Sequence, residues 1–536
     1  MAGGRPATGR NGMVKRTLGA AVAALAFALA APASAQRTLT MGVQTPPSAL
    51  DPHYHNTTNN TMMLMQIFER LFELDNRAVP QPRLAESMRA IDDLTWEVKL
   101  RQGVRFHDGT PFEADDISYT FARIPTVPNS PALYTPAVRT ISAVEIVDPT
   151  TIRIRTHEPN PLMHFDMAAP FILSRRIHGT NPATADFTSG RLAIGTGPYR
   201  LVSFAQNERM EIVRNPTYWG PPEPWDRVTI RFIPQAASRT AALLAGEVDL
   251  IDYVPVQDVE NLRREPRFAL FEVDSVTFVY LFPDSMRDTS PFVADRQGNP
   301  LPRNPLADRR VREALSLAIN REAIATRLYQ GLATPADQFA SPIAEHRLPN
   351  LPPLPHDVAR ARALLAEAGY PDGFRLTIHG PNGFFPSDQN LLQALAQQFT
   401  RAGIETTVQA LPPANLFTRA TNREFSLFMT YFSSYLTINP LRQVVATRNP
   451  DLGLGPFNRQ RYSNPAIDEP VRLALTTMDP ERRQVLTQQA ARALLEDKGV
   501  LPVIFLRNTW AGRRDRVVYD PSPVNHTSAV HARPPG

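Results

Sequence analysis

The chain has 536 residues, more than one ordinary core holds, so two or three lobes are expected. It contains no cysteine, which excludes disulfides, thiol nucleophiles, Cys-based zinc sites and a lipid anchor on cysteine. The formal charge is +5, but Arg5, Arg10, Lys15 and Arg16 lie in the first 35 residues with no acid among them. The remainder is close to neutral and has no Lys/Arg cluster, so no nucleic-acid partner is expected.

In chain order, "MVKRTLGAAVAALAFALAAPASAQ" comes first, starting at Met13. Lys15 and Arg16 form a positive start, Leu18 to Ala31 an apolar run, and Ala33-Ser34-Ala35 a small-x-small cleavage site. The reading is export, with residues 1–35 as signal peptide and a soluble periplasmic protein from Gln36 that is not a lipoprotein. Either Met1 or Met13 is the start. "TLTMGVQ" (38–44) is a predicted strand. "NNTMMLMQIFERLFELD" (59–75) carries Met63, Ile67, Leu71 and Phe72 at helical spacing, with Asn59 or Asn60 as N-cap. "TWEVKLRQGVRF" (95–106) is a predicted strand-turn-strand, and "SAVEIVDPTTIRIRT" (142–156) a hairpin.

"VRFHDGTPFEADD" (104–116) concentrates one histidine and four acids. Asp108-Gly109 is a turn signal, and Asp115 and Asp116 fall in the first turn of a predicted helix bearing Ile117, Phe121 and Ile124. No partner at ligand spacing is offered, so His107 and Asp108 are assigned to the fold rather than to chemistry.

Farther on, "RMEIVRN" and "VTIRFIP" are predicted strands, and "AASRTAALLAGEVDLIDY" a helix ending near Gly246, then a strand. Residues 284–306 are polar and proline-rich, which marks a boundary. Helices follow at "DRRVREALSLAI" and "REAIATRLY", the second capped by Asn320. Residues 357–437 alternate helix and strand, with Asp357 and Ser387 as caps. Asp479-Pro480 opens a last long helix. The alternation predicts an open α/β sheet that is parallel or mixed.

No G-x-S-x-G, H-E-x-x-H or phosphate-binding glycine loop occurs, and the eleven histidines lack metal spacing. No catalytic residue, metal or cofactor is therefore assigned. In open α/β sheets ligands sit beyond the carboxyl ends of the strands. Two strand ends are rich in hydroxyls, amides and rings. One ends in His379 and Asn382, the other in Tyr431, Ser433, Ser434, Tyr435 and Asn439. They are the candidate site for a small polar ligand.

The chain resembles the family-5 solute-binding proteins of ABC importers, which include dipeptide, oligopeptide and nickel-complex binders. The resemblance covers nearly the whole chain after residue 35. It rests on "LDPHYHN" (50–56), "PRLAESM" (82–88), "VRFHDGTPFEADDISYTFAR" (104–123), "GTGPYRLVSF" (195–204), "VRNPTYWG" (213–220), "RTAALLAGEVDL" (239–250), "DRRVREALSLAINREAI" (308–324), "ARALLAEAGYPDGF" (361–374) and "YSNPAIDE" (462–469). It implies an α/β, two-lobe periplasmic binding protein fold of type II with a hinge and an extra subdomain in the first lobe. Lobe I would be 36–50 plus 191–285 plus 506–536, the extra subdomain 51–190 and lobe II 286–505. It also implies a monomer that closes on a small molecule or peptide and docks on an ABC permease and ATPase complex in the inner membrane.

By the same resemblance, Tyr54, His55 and Asn56 line the cleft from the first lobe. Peptide-binding members carry an Asp in a "W-x-x-D" stretch that pairs with the peptide's amino group. Here the stretch is "TYFSSYLTINPLR" (430–442), with Ser433 or Ser434 in place of that Asp and Asn439-Pro440 in place of Asp-Pro. A buried ammonium without a partner is costly, so amine recognition has to differ. Arg442 adds a cation for an anionic ligand group. The leading expectation is a non-enzymatic capture protein for short peptides or similar solutes. The alternatives are a secreted hydrolase with a dispersed active site, or a binding protein serving a membrane sensor.

Overall fold

A computed structural model of the protein describes residues 36–536, together with residues 1, 3 and 4. The expected signal peptide thus lies almost wholly outside the described residues. Among the described residues, no helix is long and apolar enough to cross a membrane.

A twelve-stranded mixed sheet runs through the molecule. From one edge its strands are Tyr199–Ala205, Arg209–Arg214, Arg227–Phe232, Thr38–Val43 and Leu250–Asp252. Two long strands follow, Leu501–Arg513 and Phe268–Pro283, then Leu427–Ser433, Arg375–Pro381 and Val293–Ala294. Ala333–Pro335 adds to Leu501–Arg513, and Glu405–Leu411 to Arg375–Pro381. Thr38–Val43 is parallel to both neighbours, and the alternate residues Leu39, Met41 and Val43 bury one face of it in the core.

The two long strands tie the halves of the sheet together. Phe268–Asp274 pairs antiparallel with Arg507–Arg513 in the first half. Thr277–Pro283 pairs with Leu427–Ser433 in the second. Between Asp274 and Phe278 the ladder is interrupted, so the strand bends where the halves meet.

A separate four-stranded antiparallel sheet is built from Ala85–Asp92, Thr95–Leu100, Thr151–Thr156 and Ile141–Asp148. Its Trp96, Val98, Ile152 and Ile154 pack with Ile117 and Phe121 of the helix Ala114–Arg123. A reciprocal capping box between Glu113 and Asp116 starts that helix.

The expected hairpin, the α/β alternation and the helices capped by Asp357 and Asp479 are present. Three local expectations are corrected. The helix over 59–75 is only Thr58–Leu64, and Phe72–Leu74 is a strand paired with Pro80–Pro82. The chain leaves the helix because Gly197 donates its N–H to the Ile67 carbonyl at 2.9 Å, and Tyr199 does the same to Gln66 at 2.9 Å. A side chain on Gly195 or Gly197 would collide with the Ile67 backbone, which is the role of the "GTG" stretch. Residues 104–106 form only a bridge between Arg105 and Pro111 rather than a second strand. Ser387 adopts a left-handed conformation and makes no side-chain cap. Asp388 accepts from the Phe384 N–H at 2.7 Å instead.

Candidate ligand-binding site

A cavity of about 420 Å³ lies where the two halves of the sheet meet the segment 56–74. Val276 and Thr277, at the interrupted ladder, and Leu506–Thr509 form its floor. Tyr329, Phe384 and the end of the strand Leu427–Ser433 line it on one side, and Asn56 to Thr58 with Arg70, Glu73 and Leu74 contribute from the first part of the chain. Val524 to His526, near the C-terminus, complete it.

Five of the residues expected from the sequence line this cavity: Asn56, Tyr431, Ser433, Ser434 and Tyr435. The Tyr431 ring stacks on Phe384 with centroids 4.6 Å apart and meets Phe385 edge-on at 5.8 Å. Tyr435 stacks at 5.5 Å on Phe165, whose helix Met163–Asp166 packs on the four-stranded sheet. The Ser433 hydroxyl bonds to that of Thr277 at 2.8 Å. Ser434 is different: its hydroxyl donates to the Leu436 carbonyl at 2.9 Å and accepts the Leu436 N–H at 3.0 Å. That hydroxyl closes its own turn.

Six expected residues stand away from the cavity lining: Tyr54, His55, His379, Asn382, Asn439 and Arg442. Tyr54 gives its carbonyl to the Ser130 hydroxyl, and His55 bonds through Nδ1 to Ser48. His379 is fully buried, stacked on Phe425 at 4.1 Å, with Nε2 donating to Gln409 at 2.8 Å; burial lowers its pKa to about 4 and keeps it neutral. Asn382 is exposed. Asn439 buries Oδ1 without a partner. Arg442 faces Asp166, whose carboxyl is pushed up to about 6 by burial against the attraction of Arg442 and Arg139. The strand-end rule located the wall, but His379 points into the packing rather than beyond the strand.

Residues not foreseen supply the charge. Arg70 pairs with Glu73 at 3.1 Å and lies over the Phe171 ring at 4.1 Å. Arg507 pairs with Glu272 at 3.3 Å and Asp274 at 3.1 Å. Glu73 is the one carboxylate among the lining residues, and burial keeps His526 neutral. Arg70 and Glu73 sit in the stretch misread as helix, where helical spacing aimed them elsewhere. Tyr253 and Arg507 carry no sequence signal for a site. Among the described residues, no group of three or more His, Cys, Asp or Glu is placed to hold a metal ion.

His107 and Asp108 belong to the fold. Asp108 accepts from the Thr110 N–H at 2.9 Å to close the Asp-Gly turn. Asp51, of "LDPHYHN", forms a bidentate pair with Arg123 at 2.9 and 2.7 Å, and His53 accepts from the same guanidinium at 2.9 Å.

Residues 79–445, more than half of the chain, match the family of bacterial extracellular solute-binding proteins, family 5 (middle). The chain belongs to this family. As a family 5 solute-binding protein it is 28% identical over 500 residues to the glutathione-binding protein GsiB of Salmonella paratyphi A, covering 90% of this chain and 91% of the relative. The E. coli K12 protein of the same name is 29% identical over 516 residues, covering 92% and 93%. Among solved structures, the ABC transporter substrate-binding protein CtaP of Listeria monocytogenes superposes with a TM-score of 0.80 at 21% identity, covering 93% of this chain and 99% of that one. The two-lobe periplasmic binding protein fold read from the sequence is thereby established, in a family of solute-binding proteins. Neither the hydrolase nor the sensor reading gains support from these relatives.

Proposed function

We propose that this family 5 protein captures short peptides or a similar small polar solute in the periplasm and delivers it to an ABC permease and ATPase complex. The observation that carries the reading is the cavity of about 420 Å³ between the halves of the sheet, with stacked aromatic rings on one side and Arg70 and Glu73 on the other. Rings and a few directed polar groups suit a ligand of peptide size. The relatives named for glutathione, a tripeptide, support the same ligand class.

In this reading Asn56, Tyr431, Ser433 and Tyr435 contact the ligand together with Arg70, Glu73 and Arg507, and Ser434 shapes the wall. Lobe I comprises 36–50, 191–276 and 506–536 and lobe II 277–505, with 51–190 as the extra subdomain; the expected boundary near 285 moves to the interrupted ladder because Thr277–Pro283 pairs with Leu427–Ser433. The bend at Ser275 to Thr277 is the hinge. Ligand binding favours the closed arrangement because only there do both walls touch the ligand at once. Mature protein begins at Gln36, carries no lipid anchor and acts as a monomer.

Native mass spectrometry of the protein isolated from its own periplasm tests this. A co-purified peptide or peptide-like solute, displaced by glutathione or by a di- or tripeptide in calorimetry, is the expected result. A co-purified solute of another class, with no heat from any peptide, overturns it.

A further inference from the structure

A second cavity of about 510 Å³ lies beside the first and shares Glu73, Leu74 and His526 with it. Its character is opposite. Glu69, Glu73, Asp75, Glu223 and Asp520 line it, against Arg83 and Arg533, both of which are exposed.

Four of the five acids already have partners, Glu73 through Arg70. Glu69 accepts from the Tyr218 hydroxyl and the Trp219 indole, each at 2.8 Å. Asp75 accepts the N–H groups of Arg77 and Val79 in its own turn. Asp520 accepts from Asn76 at 2.9 Å. Glu223 is half-buried and its carboxylate has no hydrogen bond or ion pair among the described residues. Burial pushes its pKa up to about 7, against the attraction of Arg83 on the same wall, with which it makes no ion pair. Glu73 uses only Oε1 on Arg70. His531, on the same wall, has a buried Nδ1 without a partner among the described residues, and burial lowers its pKa, so the ring is neutral.

We propose that the ligand site has two chambers, and that the second receives a cationic side chain, a lysine or arginine of a bound short peptide, against Glu223 and Glu73. The first chamber, with Arg70 and Arg507, holds the remainder of the ligand. Glu73, on the shared wall, takes part of the place of the acid missing at Ser433 and Ser434. This rests on the peptide reading above and adds a specificity to it.

Calorimetry with Ala-Lys-Ala, Ala-norleucine-Ala and Ala-Glu-Ala, on protein freed of bound solute, tests the proposal. Ala-Lys-Ala is expected to bind at least tenfold more tightly than Ala-norleucine-Ala. That ratio is expected to fall below threefold in Glu223→Gln and to invert in Glu223→Lys. Circular dichroism melting checks that both variants are folded. Binding of all three peptides with no preference for lysine, or a preference that survives Glu223→Lys, overturns the second chamber and leaves the peptide reading standing. Absence of binding by every peptide overturns both.

Discussion

His107 and Gly197, 90 residues apart, are joined by a 3.0 Å hydrogen bond from Nε2 to the carbonyl, while Nδ1 accepts the Gly195 N–H at 3.3 Å. The pair fixes the neutral tautomer and staples "VRFHDG" to "GTGPYR". Burial lowers the pKa of His107 to about 4.

His107→Asn is accordingly expected to destabilise the protein by about 1–3 kcal/mol in urea unfolding and to leave ligand affinity within twofold. The sign of the pH effect follows from the lowered pKa. Between pH 6.5 and 4 the unfolded histidine binds a proton that the folded one refuses, so its contribution is lost as the pH falls. Buried carboxyls such as Asp116 and Asp166, held near 6, oppose this in the whole protein. Comparing the two proteins cancels them. The stability of His107→Asn is expected to fall less steeply from pH 6.5 to 4 than that of the native chain, and parallel curves would count against the staple.

The two halves of "SSY" are expected to behave differently. Tyr435→Ala should weaken ligand binding at least tenfold, about 1.4 kcal/mol. Ser434→Ala should leave affinity nearly intact and lower the melting temperature, because its hydroxyl closes the turn at Leu436. Calorimetry and thermal melting of the single variants separate the two; an affinity loss confined to Ser434→Ala would reverse the assignment.

Tyr431 and Phe384 act as one surface. Each single alanine variant should lose about tenfold in affinity, and the double variant less than the product of the two, since either change removes the stack. A double-mutant cycle measures this, and strict additivity would mean independent contacts.

Asp51 and Arg123 are both nearly inaccessible, with side-chain exposures of 0% and 6%. Arg123→Met strands a carboxylate that also serves Thr184 and the His53 N–H. A loss of about 3–5 kcal/mol is expected in urea unfolding. A loss below 1 kcal/mol would show that the carboxylate simply takes up a proton at little cost.

Phe165 reaches from the helix Met163–Asp166 to Tyr435. Phe165→Ala should speed ligand release about fivefold, read by stopped-flow fluorescence, through loss of roughly 1 kcal/mol of ring contact in the closed form. An unchanged release rate would place the closing contact elsewhere.

The α/β order was legible because strands such as Leu427–Ser433 and helices such as Val358–Glu367 carry period and caps together. The segment 59–75 was not. Its apolar residues fit a helical stripe, yet the ladder to Gly197 and Tyr199 ends the helix after Leu64, and no local pattern announces a partner more than 120 residues away. Arg70 and Glu73 were lost with it. His379 shows the converse: a polar residue at a strand end whose neighbours Phe425 and Gln409, distant in sequence, draw it inward.

The C-terminal stretch has a consequence in time. Val524 to His526 wall the cavity, Ala529 donates to Gln66 at 2.9 Å, and Trp225 donates to the Ala532 carbonyl at 2.8 Å. Residues 524–532 therefore complete a pocket begun near residue 56, and a chain cut before Val524 lacks one wall of it. Dependence on such distant partners slows folding.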